Sequence, residues 1–200
     1  FSGYHGWTDW YLSANLKDKK TLDEFIVPGI SPSGVPKNLK NSTIEISYNN
    51  IKDLKKLNKK NIAALVIEGS RYDYPSKSFL KEIQKICKKK KICLIIDEIT
   101  SGWRETIGGI YKKFNIDPDI VVFGKAIGNG YAISSILGKK KYMSHANKSF
   151  ISSTAWTEKV GFAAANATID YIVKNKVYIH IPKIGQMITR GWKQIAKDLE

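Results

Sequence analysis

Arginine is scarce in this 200-residue chain, confined to Arg71, Arg104 and Arg190, and acidic residues are outnumbered: Lys+Arg total 33 against Asp+Glu 18, a formal net charge of +15. The surplus is therefore almost all lysine, the poorer reader of phosphates and base edges. The lysines spread over expected helix surfaces and loops. The densest run, Lys88 to Lys91, falls where a helix gives way to a buried strand, a place that favours cations on electrostatic grounds alone. A solvated surface is expected, and no nucleic-acid partner. Cysteine is nearly absent as well. Cys87 and Cys93 have no second pair and no neighbouring His, which argues against a zinc site or a disulfide scaffold and for free thiols in a reducing cytoplasm. No apolar run is long enough to span a bilayer, so no membrane partner is expected. There is no internal repeat, no low-complexity segment and no initiator Met. The opening Phe1-Ser2-Gly3-Tyr4-His5-Gly6 reads as the middle of a longer protein.

What is present is alternation between short apolar runs and amphipathic stretches, the pattern of an α/β fold. Thr43 to Tyr48 alternates like a strand, and Ile51, Leu54 and Leu57 then recur at helical spacing, giving a helix up to Asn61. Ile62 to Ile67 and Ile92 to Ile96 are continuous apolar runs. Between them Ser76 caps a helix carrying Phe79, Leu80, Ile83 and Ile86. Asp119 to Phe123 is a third such run, and a fourth strand is expected around Ala132 to Leu137 after the Asn129-Gly130 turn. Strands apolar on both faces suit a mostly parallel sheet flanked by helices. From Thr157 to Lys174 the small residues Gly161, Ala163, Ala164, Ala165 and Ala167 allow a helix to lie close to its neighbours. A last helix covers about Val177 to Leu199.

Two residues carry chemistry. Asp97 stands just past the carboxyl end of a buried strand, where open α/β sheets place ligand groups. An apolar strand ending in Asp-Glu matches the Walker B element of an ATPase, or a strand whose Asp binds a pyridine nitrogen, or a simple cap on the next turn. The ATPase reading needs a GxxxxGK(S/T) phosphate loop, and the chain has none. Lys125 follows another buried strand, between Gly124 and Ala126 and ahead of Gly128-Asn129-Gly130. A lysine in so lysine-rich a chain is by default solvated. An amine delivered to the strand ends beside a carboxylate is instead placed to form an imine with an aldehyde.

Three segments in order carry a resemblance: Gly3-Tyr4-His5-Gly6; Asp97-Glu98-Ile99-Thr100-Ser101-Gly102-Trp103-Arg104; and Pro118-Asp119-Ile120-Val121-Val122-Phe123-Gly124-Lys125-Ala126-Ile127-Gly128-Asn129-Gly130. Together they resemble the class III aminotransferases, of the PLP-dependent transferase (aspartate aminotransferase-like) fold, and within them the glutamate-1-semialdehyde aminomutase-like branch. The resemblance implies pyridoxal 5'-phosphate as cofactor, held by Lys125 as an internal aldimine. Asp97 would face the pyridinium, Tyr4 would stack on one ring face with His5 beside it, and Ile99 would pack on the other. Ser152-Ser153-Thr154 falls where the family reaches the cofactor phosphate of a partner subunit, with Thr154 as the contact; this implies a homodimer with shared active sites. Thr157 is expected to cap the following helix. The family commonly continues Gly-Asn-Pro where this chain has Trp156-Thr157-Glu158, a departure on the substrate side. Glu68-Gly69 replaces the family's Glu-Pro, with Arg71 and Asp73 expected in a loop salt bridge. Thr100 replaces a Gln of many ω-aminotransferases, which points away from a typical ω-amino acid substrate.

The expectation is thus an aminotransferase moving nitrogen from a small-molecule amino donor to a carbonyl acceptor, with an aminomutase of the same cofactor chemistry as the alternative. A noncatalytic basic binding module is the alternative of another class. Residues 1–175 would be part of the PLP-binding large domain, and 176–200 a helix leading toward a small C-terminal domain outside the sequence.

Overall fold

The computed structural model describes residues 3–6, 8–16, 32–58, 61–154 and 156–199. Its residues form two compact units, Phe1–Leu94 and Ile95–Glu200.

In the first unit a short helix, α1 (Asp9–Leu12), leads into a 3-10 turn at Ser13–Leu16. Ser13 is fully buried, its hydroxyl donating to Trp10 O at 2.7 Å and lying 2.9 Å from Ser42 Oγ. The expected strand at Thr43 to Tyr48 does not form. Its alternation does not sort into an inner and an outer face, since residues 43–46 are all half-buried. Side chains serve its backbone instead: Lys56 Nζ donates to Glu45 O at 3.0 Å, and Asp53 accepts from Ser47 N at 2.9 Å. The helix after it is a 3-10 helix, Ile51–Asn58, and stops short of Asn61. Its apolar residues repeat every three positions, which is the 3-10 period, and Leu54 and Leu57 are the two it buries.

Strand β1 (Ala64–Glu68) becomes buried toward its carboxyl end. Helix α2 (Lys77–Lys90) starts as expected, with Ser76 Oγ accepting from Phe79 N at 3.2 Å. It buries Phe79, Leu80, Ile83 and Cys87, so Cys87 takes the inward place expected of Ile86. Lys88, Lys89 and Lys90 fill its last turn, and Lys91 ends it in the left-handed conformation at φ 58°.

Strand β2 (Cys93–Asp97) crosses from one unit to the next: Cys93 N donates to Ala63 O at 3.0 Å, and in the second unit β2 runs parallel to β3 (Ile120–Phe123). The register pairs Ile95 with Ile120, Ile96 with Val121 and Asp97 with Val122. β4 (Ser135–Gly138) begins later than expected and pairs antiparallel with β3. The four strands are ordered β1-β2-β3-β4 in a mostly parallel sheet, and the exposed residues of β4 fit an edge.

Helix α3 (Lys140–Met143) follows β4. Helix α4 (Val160–Lys174) starts after Lys159, with no side-chain cap bond, so Thr157 is not the N-cap. Helical backbone dihedrals begin at Lys159, two residues after Thr157. Gly161 does permit a close approach: a Cβ there would sit 3.2 Å from Ala132 O and from Ile133 Cβ. Ala165 packs with Val121, Phe123 and Ile127 in the core beneath the strand ends, with Trp103, Tyr111, Ile133 and Ile169 against them. Helix α5 (Val177–Asp198) contains Pro182 and buries no residue.

Candidate active site

In the second unit the site grows from the register of two strands. Asp97 is the last residue of β2 and 6% exposed; its partner on β3 is Val122, so Lys125 lies three residues beyond the point where Asp97 is paired. Both residues therefore leave the sheet at the carboxyl ends of neighbouring parallel strands, the side on which open α/β sheets bind ligands. Asp97 Oδ1 accepts from Ile99 N at 3.0 Å, turning the chain sharply after β2. A Cβ on Gly124 would lie 3.4 Å from Ile99 Cγ2, an ordinary van der Waals distance, so Gly124 and Ile99 are neighbours at the strand ends. Lys125 itself has φ 46°, a left-handed conformation rare outside glycine and asparagine. Its carbonyl accepts from Gly128 N and Asn129 N, each at 3.1 Å, which holds that conformation. Its side chain is exposed, and Nζ donates to Thr100 Oγ1 at 2.8 Å.

The turn bearing Ile99 and Thr100 is pinned by Glu98, which has no solvent exposure. Glu98 N donates to Val122 O at 2.8 Å, and Glu98 O accepts from Gly102 N at 2.7 Å. Its carboxylate accepts from Ser101 Oγ at 2.6 Å and from Tyr111 N at 3.0 Å. Burial pushes the Glu98 carboxyl above the usual carboxylate range, opposed by its bonds to Ser101, Tyr111 and Ile110 and assisted by the charge of Asp97. Arg104 Nε donates to Thr100 O at 2.7 Å. Trp103, at φ 62°, lies 6.1 Å from the Phe123 ring, and its Nε1 is buried without a hydrogen-bond partner.

The first unit holds Tyr4 and His5. Tyr4 is 42% exposed, and its backbone N donates to Glu68 Oε2 at 3.4 Å. Both rings meet Tyr11 edge-on, at 6.2 and 6.1 Å. Glu68, buried at the end of β1, accepts from Arg71 Nη1 at 3.2 Å, and the guanidinium lies over the Tyr4 and Tyr72 rings at 5.8 and 5.6 Å. Arg71 thus pairs with Glu68 at the end of β1 rather than, as the sequence suggested, with Asp73 in the loop. Burial, then the Glu68 charge, push the Tyr11 phenol up to about 12; its hydroxyl donates to Gly3 O at 2.5 Å.

Of the residues singled out in the sequence, Asp97, Ile99 and Lys125 are gathered in the second unit, Tyr4 and His5 lie together in the first, and Thr154 sits on an exposed turn. The contact of Thr100 with Lys125 and the pinning of the turn by Glu98 are not legible in the sequence. Both residues belong to the Asp97-to-Arg104 segment, yet their partners are 25 and 13 residues away.

The pattern of the family described as aminotransferase class-III matches residues 1–200. The chain belongs to this family. Among curated relatives it is 32% identical, over 185 residues, to 3-aminobutyryl-CoA aminotransferase of Cloacimonas acidaminovorans; 88% of the chain and 41% of that protein are covered. It is 33% identical over 207 residues to glutamate-1-semialdehyde 2,1-aminomutase of Ruminiclostridium cellulolyticum, covering 97% and 46%. The chain thus spans less than half the length of these relatives. Among solved structures, acetylornithine aminotransferase from Elizabethkingia anophelis superposes with a TM-score of 0.69 at 27% identity, over 76% of this chain and 42% of that one. The FumI protein of Sphingopyxis sp. MTA144, in its PLP internal aldimine form, shares the fold with a TM-score of 0.70 at 23% identity, over 86% and 39%.

Proposed function

We propose that the protein is a pyridoxal-phosphate-dependent aminotransferase that moves an amino group from a small-molecule donor to a carbonyl acceptor, with Lys125 and Asp97 at its centre. The observation that carries this reading is the strand register, which brings a buried carboxylate and an exposed amine to the carboxyl ends of adjacent parallel strands in a class-III aminotransferase chain. The donor set fits the cofactor: an amine suited to an aldehyde and a buried, oriented carboxylate suited to a protonated ring nitrogen. When bound, the cofactor supplies an electron sink for the charge left when a proton leaves the substrate carbon.

Lys125 would hold the cofactor through Nζ, and its amine is the group that would take up and return the proton at the substrate carbon. Asp97, oriented by its bond from Ile99 N, would hold the ring nitrogen of the cofactor, its charge favouring a proton there. Ile99 would pack on a face of the ring; Tyr4, with His5 beside it, is the aromatic candidate of the first unit for a stacking contact, and Thr154 would reach the phosphate bound by a second copy in a homodimer. Residues 1–175 belong to the cofactor-binding domain. A cytoplasmic location is in keeping with small-molecule chemistry; among the described residues no helix is long and apolar enough to cross a membrane.

Relatives named as aminomutases at 30% identity or above favour a second reading, in which nitrogen moves within one molecule. Assay of the full-length protein with and without an external amino donor separates the two. Turnover that requires the donor is expected; turnover of a single amino-carbonyl compound without it would establish the aminomutase.

A further inference from the structure

Lys125 Nζ ends its side chain on one partner, Thr100, whose turn is itself pinned. Thr100 Oγ1 receives the amine at 2.8 Å, Arg104 fixes the Thr100 carbonyl at 2.7 Å, and the turn around it is tied to Asp97 through Ile99 N and to Glu98 through Ser101 and Gly102. At the other end, Lys125 is fixed at φ 46° by the Gly128 and Asn129 amides. A long, four-carbon side chain that would otherwise sample many rotamers is thereby restrained at both its backbone and its tip.

We propose that Thr100 is the positioning residue for Lys125, its hydroxyl aiming the ε-amine across the strand ends for condensation with the cofactor aldehyde, in which a C=N bond replaces C=O and the oxygen leaves as water. A hydroxyl suits this task in either protonation state, because it accepts a hydrogen bond from an ammonium and donates one to the lone pair of a neutral amine. Valine, of similar shape, does neither. Serine does both. The inference rests on the reading of Lys125 as the cofactor-binding lysine, and concerns how that lysine is presented.

The test follows uptake of pyridoxal phosphate by the cofactor-free full-length protein, read as the visible absorbance of the bound cofactor, together with the melting temperature before addition. Thr100→Val is expected to weaken uptake about fivefold, the equivalent of one hydrogen bond. Thr100→Ser is expected to stay within about twofold of the native protein by the same measure. Should valine lower the melting temperature, the comparison of Thr100→Ser with Thr100→Ala decides in the same way. Native uptake by the variants lacking the hydroxyl, or equal impairment of the serine variant, overturns the proposal. Lys125→Ala is the control: if it develops the native absorbance, the assignment of Lys125 fails and this inference falls with it. Loss in Lys125→Ala with native behaviour in Thr100→Val overturns the role of Thr100 alone.

Discussion

At the scale of single residues the site is a short list of polar groups whose burial makes them sensitive to substitution. Glu98 is the clearest. Its carboxylate receives Ser101 Oγ and Tyr111 N, so Glu98→Ala would leave the Tyr111 amide without its acceptor and is expected to cost about 1–3 kcal/mol, measured by urea unfolding. Glu98→Gln keeps an oxygen toward Tyr111 N, and the Ser101 hydroxyl can rotate to accept from the new amide; it is expected to be much milder. Because folding raises the Glu98 carboxyl, the folded chain binds this proton more tightly than the unfolded chain does. Its contribution is fully present below the ordinary glutamate value of about 4 and is lost as pH rises toward the higher folded value. Unfolding curves across that window should show stability falling with pH in the native protein and a flatter profile in Glu98→Gln. Asp53 has the opposite sign: the Ser47 backbone amide, with Lys56, lowers its carboxyl to about 2, so its small, exposed contribution is present at neutral pH and fades as pH falls toward that value.

At the scale of elements, the parts most legible in the sequence were those whose stability is local or whose residues are apolar throughout. The runs at 62–67, 92–96 and 119–123 became β1, β2 and β3 with small shifts of boundary, because an apolar residue at every position has few other places to go. Helix α2 was legible from its cap and its spacing, and Ser76→Ala is expected to destabilise the protein by about 1 kcal/mol in thermal or urea unfolding, through loss of the bond to Phe79 N. The segment 43–48 misled for a physical reason. Alternation specifies a strand only where a neighbouring strand is available, and here Lys56 and Asp53 satisfy backbone groups of that segment instead. The turn after β2 is held by close packing at glycine: a Cβ on Gly102 would stand 2.6 Å from the Phe123 ring and 2.7 Å from Glu98 O. Gly102→Ala should therefore cost about 1–3 kcal/mol and loosen the loop that carries Ile99 and Thr100, seen as a lower melting temperature.

At the scale of the whole molecule, binding a cofactor to the folded state alone raises stability by mass action. With pyridoxal phosphate at about 100 times its dissociation constant the gain is about 2.7 kcal/mol, so addition should raise the melting temperature of the full-length protein and leave Lys125→Ala largely unmoved. An equal rise in both would place the cofactor elsewhere. The net charge of +15 predicts strong retention on a cation exchanger, weakened by salt. The sequence by itself determined the α/β class, the strands that form the sheet and the candidates Asp97 and Lys125, because burial patterns and strand-end motifs are written in consecutive residues. Tertiary structure alone decided that β4 is an antiparallel edge, that Asp97 stands opposite Val122 so that its strand end adjoins that of Lys125, and that Thr100 receives the amine. Those facts depend on register and on contacts between residues far apart in the chain, and no local pattern of side chains encodes them.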